Sequence, residues 1–161
     1  MSAQRPAKAV FDCNVFLQAL GNPLGPAGRC VQAALEGQFQ LFIDQLLIDE
    51  LIEVSARPDL VRKLRILPTR VSELVADLNT RAVFVNDVPA VLNYPRDPDD
   101  AHYIDLALAT RSYLVVSRDK DLLDLMNDSN AVGKSLRTNY PDLRIVTPPG
   151  FIQLLESQKS E

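Results

Sequence analysis

Short, continuously apolar runs that stop at polar or acidic residues recur along this chain, and helical spacing fills the stretches between them. Residues 8–11, 39–43, 82–85, 113–117 and 143–146 read as buried strands, being too short for helices and bounded by turn residues. Helices are expected over about 27–36, 45–57, 60–67, 70–80 and 98–111, with one or two turns in 121–126 and a terminal helix through Leu155. Gly37 stops the first of these, Asp44 and Thr69 are plausible N-caps, and the polar, turn-rich 127–142 reads as a mobile loop. Strands alternating with helices imply an α/β fold: a three-layer α/β/α arrangement around a central, mostly parallel sheet. Ligands of such folds bind beyond the carboxyl ends of the strands. The length of 161 residues fits one domain, 1–161, with a core from about 8 to 156.

That sheet edge is where acids interrupt apolar sequence. Asp12 ends the first strand, Asp119 follows the run at 114–117, Glu50 sits within an apolar helical stretch, and Asp97-Pro98-Asp99-Asp100 opens another. Carboxylates gathered together raise one another's pKa unless a cation neutralises them, so the pattern suggests a divalent-metal site. Each acid also has a purely structural reading. Asp12 can cap a helix or close a βα turn, and Glu50 can pair with an arginine. Asp97 as N-cap, Pro98 at the first helical position and acids behind them suit a helix start. Asp119 can belong to an ordinary charged loop.

Helical phase discriminates further. Glu50 shares a face with Leu47, Leu51 and Val54, so it needs a cation or lies at the core's margin, whereas Asp49 lines up with Gln45, Glu53 and Arg57 on a solvated stripe. Asp100 falls on the inward stripe with Ile104, Ala107 and Leu108, leaving Asp97 and Asp99 as cap or outer groups. Asn14 adds a neutral oxygen able to orient water or substrate, and Ser117 a hydroxyl near Asp119. His102 reads as a surface or partly buried histidine rather than a general base. Cys13 and Cys30 form no metal-spacing motif or disulfide framework and read as reduced, buried residues.

A net charge of −4 gives no general attraction to nucleic acid, so such binding requires a local patch. Arg57, Arg62, Lys63, Arg65 and Arg70 supply one, broken by Asp59, and Arg118 adds a cation beside Asp119. There is no apolar run near membrane-spanning length and no hydrophobic leader in residues 1–8, so no membrane association and a cytoplasmic location are expected.

Taken in order, Asp12, Glu50, Asp100 and Asp119 make this chain resemble the PIN domain, the metal-dependent ribonuclease fold of VapC-like toxins. Val10-Phe11-Asp12-Cys13-Asn14-Val15-Phe16 resembles the opening strand and acid, and Asp44 to Glu50 with Leu51-Ile52-Glu53-Val54 the second acidic helix. Asp97-Pro98-Asp99-Asp100 with Ala107-Leu108-Ala109 resembles the third motif, and Leu114 to Leu123 the fourth. Ser117-Arg118-Asp119 stands where the family commonly has Thr-Gly-Asp or Thr-x-Asp. The resemblance implies hydrolysis of RNA to 5′-phosphate and 3′-hydroxyl products, using one or two Mg2+ or Mn2+ ions. Asp12, Glu50, Asp100 and Asp119 would be the catalytic and metal-binding acids, supported by Asn14, Ser117, Asp97 and Asp99. A cognate antitoxin and homodimerisation are further implications. Two alternatives stand beside it: a catalytically silent PIN scaffold acting as an interaction module, and a phosphatase of the haloacid-dehalogenase type. The second is disfavoured because Asn14 stands where that family's second Asp would be.

Overall fold

The computed structural model describes residues 7–159. Its core is a five-stranded sheet in the order β3-β2-β1-β4-β5, formed by β1 (Lys8–Phe11), β2 (Gln40–Ile43), β3 (Val83–Phe84), β4 (Leu114–Val116) and β5 (Arg144–Val146). Every pairing is parallel, with Ala9 opposite Leu41, Phe11 opposite Val116 and Val115 opposite Ile145. A parallel sheet is covered on both faces, so its central strands carry apolar residues without alternation. Ala9, Val10, Phe11, Val115 and Val116 are accordingly all fully buried. Edge strand β3 is the exception, with Val83 and Phe84 both exposed.

The covering helices are α1 (Cys13–Gly21), α2 (Pro26–Leu35), α3 (Gln45–Ser55), α4 (Pro58–Leu64), α5 (Pro68–Arg81), α6 (Ala101–Thr110), α7 (Lys120–Leu123), α8 (Ala131–Asn139) and α9 (Pro148–Lys159). A 3-10 turn, Asp124–Met126, continues α7. Phe11 anchors the core, its ring 5.8 Å from Phe16 of α1, 5.7 Å from Phe39 and 5.5 Å from Phe151 of α9. Among the described residues no helix is long and apolar enough to cross a membrane.

Several expectations need correction. No helix is expected over 13–21, yet α1 fills it, burying Cys13, Val15, Phe16, Leu17 and Ala19 and exposing Asn14 and Gln18 on a narrow polar side. The segment expected as a mobile loop at 127–142 contains α8, capped by the Asn130 carboxamide on the Gly133 N–H at 2.9 Å. Gly133 within α8 serves close approach: a Cβ there would lie 2.1 Å from the Leu125 carbonyl oxygen. Helix α5 begins at Pro68 rather than after a Thr69 cap, since proline suits the first helical position. Helix α6 begins at Ala101, so 97–100 forms a turn ahead of it instead of its first residues.

The strand order places the topological switch between β1 and β4, which lie side by side while the chain leaves them in opposite directions across the sheet. A crevice opens at the carboxyl ends of strands at such a point. Asp12 follows β1 and Ser117 to Asp119 follow β4 at that place, and the Asp12 N–H extends the pairing to the Val116 carbonyl at 3.1 Å.

Candidate metal centre

Asp12 is 2% exposed and caps α1, its Oδ1 accepting from the Val15 N–H at 3.1 Å. Its Oδ2 accepts a short hydrogen bond from the hydroxyl of fully buried Ser117. The Ser117 Oγ in turn accepts from the Asp119 N–H at 2.8 Å. Asp119 caps α7 through Oδ1, which accepts from the Asp121 N–H at 2.9 Å. One hydroxyl thus couples the acid after β1 to the acid after β4. Replacing Ser117 by Ala removes a donor from buried Asp12 and an acceptor from the Asp119 amide. A loss of about 1–3 kcal/mol in stability is expected, measured by denaturant unfolding. An unchanged unfolding midpoint would show that water replaces both bonds.

The turn before α6 brings a second pair. Asp97 Oδ1 accepts from the Asp100 N–H at 3.2 Å, and both carboxylates are half-buried. One oxygen each from Asp97, Asp100 and Asp119 lies within 4.8 Å of the others. Asp97, expected only as a cap or outer group, therefore belongs to the cluster itself, and it caps Asp100 as well. Asp99 is exposed outside it. Asp12 adjoins the cluster through Ser117 rather than entering the three-carboxylate group.

Glu50, expected either beside a cation or at the core's margin, lies at that margin. Leu47 and Leu51 are fully buried as the phase requires, but Glu50 is exposed at the core's margin, where its Oε2 accepts a short hydrogen bond from the Tyr103 hydroxyl. Burial, with that carboxylate beside it, pushes the Tyr103 hydroxyl far above its ordinary pKa. Asp49 follows expectation, accepting from Gln45 at 2.8 Å on the solvated stripe.

The electrostatics follow chiefly from burial, with the nearby Arg96 charge acting on Asp119. Desolvation raises Asp12 to about 6, against the opposing bonds from Ser117 and Val15 and with help from the charges of Asp119 and Glu50. Burial, then the proximity of Asp119 and Asp97, pushes Asp100 up to about 9. Asp119 is held below its ordinary value, chiefly because Asp100 retains the shared proton and offers it as a hydrogen bond. Among the described residues, no lysine or arginine forms an ion pair with Asp12, Glu50, Asp97, Asp100 or Asp119.

Of the remaining candidates, Asn14 is exposed on the first turn of α1, and Arg118 is exposed without pairing to these acids. Arg57 pairs with Glu53 at 2.9 Å and Arg62 with Asp59 at 2.6 Å, leaving Lys63, Arg65 and Arg70 as the exposed cations of the basic segment. His102 lies 2.7 Å from the Asp44 carboxylate without hydrogen-bond alignment, which agrees with a partly buried histidine. Cys13 and Cys30 are buried free thiols, and burial raises both pKa values, Cys30 to about 12, which removes nucleophilic character. Sequence reasoning missed Asp105, a buried acid whose Oδ1 accepts from the Val91 and Leu92 amides at 3.0 and 2.8 Å. Its only sequence signal was an acid inside an apolar helix.

Comparison with known proteins agrees with this geometry. Residues 8–121 match the family described as PIN domain. The chain is 28% identical over 149 residues to "Uncharacterized protein MJ1680" of Methanocaldococcus jannaschii, an alignment covering 92% of each. With all five acids inside the matched region and an all-parallel five-stranded sheet between helices, the chain belongs to the PIN-domain family, whose members are typically metal-dependent nucleases.

Proposed function

We propose that this protein is a metal-dependent endoribonuclease acting at the crevice beyond β1 and β4. The observation that supports this best is the approach of Asp97, Asp100 and Asp119 to within 4.8 Å without a basic side chain paired to any of them. Such a set is poorly stable alone, as the raised Asp100 shows, and an oxygen-preferring divalent cation relieves it. The donors fit Mg2+ or Mn2+, held by Asp97, Asp100 and Asp119 with Asp12 alongside and Glu50 at the margin. A bound ion supplies Lewis-acid stabilisation of charge developing on phosphoryl oxygens.

The chain's own groups do the rest. Ser117 fixes the Asp12 carboxylate beside the three-carboxylate cluster. Asn14 presents a neutral amide on the same turn. Lys63, Arg65 and Arg70 offer phosphate contacts that weaken with salt. The motif resemblance supports a toxin role, with a cognate antitoxin and a second copy of the chain as partners, in the cytoplasm.

The test is incubation of single-stranded RNA with the protein, with Mn2+, with Mg2+ and with excess EDTA. Cleavage is expected only with metal, leaving 5′-phosphate ends. Cleavage that survives the chelator would overturn the metal-dependent reading. Absence of cleavage despite measured Mn2+ binding would favour the catalytically silent scaffold.

A further inference from the structure

We propose that Tyr94 and Arg96 are positioning residues that set the separation between the two halves of the acidic site, a proposal that rests on the metal-centre reading above. Asp97 and Asp100 arrive on the segment between β3 and α6, and no helix or strand stiffens it from residue 85 to 100. Asp119 arrives on a different segment, after β4. Once ionised, carboxylates on two separate segments repel, and the proton shared by Asp100 and Asp119 is their direct link.

Three contacts oppose that repulsion. Buried Asp105 on α6 fastens the loop at the Val91 and Leu92 amides. Buried Tyr94 donates its hydroxyl proton to the Asp121 carbonyl oxygen at 2.7 Å. Arg96 spans two carboxylates, Nε to Asp121 Oδ1 at 2.6 Å and Nη2 to Asp124 Oδ2 at 2.7 Å. Arg96 precedes Asp97 directly, and the Asp121 N–H holds Asp119 Oδ1, so a second route from one half of the cluster to the other runs through this tie. A guanidinium is a rigid fork able to bridge two acids, and an ammonium on a flexible stem is not.

Positioning can be separated from charge by the sign of the change. If Arg96 served only as a nearby positive charge, removing it would make the pocket more negative and tighten cation binding. A positioning tie predicts weaker binding when it is cut, and no recovery from a charge that lacks the fork. The Arg96 side chain is 44% exposed, so its ion pairs contribute little to global stability.

Mn2+ binding to the full chain is measured by calorimetry for wild type, Arg96→Ala, Arg96→Lys and Tyr94→Phe, with thermal melts alongside. The expected result is Mn2+ affinity reduced about tenfold or more in both Arg96 variants, with a smaller loss in Tyr94→Phe. Unchanged or tighter binding in Arg96→Ala, or full recovery in Arg96→Lys, overturns the proposal while leaving the metal centre in place. Wild type that binds no Mn2+ overturns the metal centre itself and the tie with it. Should Arg96→Ala fail to fold, Arg96→Lys and Tyr94→Phe decide the question.

Discussion

Asp100→Asn is expected to raise the melting temperature of the metal-free protein while cutting metal-dependent RNA cleavage on the order of a thousandfold. Both effects have one origin. Asp100 is pushed up to about 9 by burial and by Asp119 and Asp97, so its ionised form is the strained partner in the cluster. Asparagine keeps the shape and removes the charge. No cap is lost, because the Asp100 side chain makes no capping bond to α6. Asp119 is a less clean target, since its Oδ1 also holds the Asp121 amide and starts α7. The melt is run in EDTA, and initial cleavage rates are taken at saturating Mn2+. Cleavage retained within tenfold would remove Asp100 from the reaction, and an unchanged melt would show that the cluster carries no repulsion. A group costly to stability and needed for activity is the expected pattern at a functional site.

Strands β1, β2, β4 and β5 were legible because both faces of a parallel sheet are buried, which forces continuous apolar runs such as Ala9-Val10-Phe11. Helix α1 is harder to read because its exposed side is narrow, with Asn14 and Gln18 as its exposed polar residues among buried neighbours. Helix α8 is hidden by the polar, turn-rich composition of 127–142, and its Gly133 serves contact with the distant Leu125 carbonyl, not a local turn. At the site, Asp12 and Asp119 could be read as acids at strand ends, a local property. Asp97 could not be ranked correctly, because helical phase was extended back through a segment that is a turn. For Glu50, helical phase and the cost of an unpaired buried charge leave a cation or the core's margin, and only the folded chain shows Tyr103 meeting it at that margin. The ties from Asp105 to Val91 and from Arg96 to Asp121 span separations that carry no local pattern, so only the folded chain displays them.

The metal-free protein is expected to lose stability as pH rises, opposite to the usual behaviour of paired carboxylates. A carboxylate raised on folding binds more protons in the native than in the unfolded state between its two pKa values, so stability falls across that interval. For Asp100 the interval runs from the ordinary 3.8 to about 9, and for Asp12 from 3.8 to about 6. Asp119 is lowered, so its favourable contribution is already complete above 3.8 and does not offset the decline. Titrating groups away from the cluster cancel when wild type is compared with Asp100→Asn in EDTA at pH 5.5, 7 and 8.5, so the difference reports on Asp100 and the Asp97 and Asp119 carboxylates coupled to it. The variant's advantage should grow with pH, reaching roughly 5 °C at pH 8.5, as about 2 kcal/mol produces in a domain of this size. Solvent screening at a half-exposed group keeps that figure below what the full shift would give. Saturating Mg2+ should close the gap by raising only the wild type, since ligand that binds the native state alone stabilises it. A gap that is constant with pH, or that Mg2+ leaves untouched, would mean that Asp97, Asp100 and Asp119 are not held together as uncompensated charges.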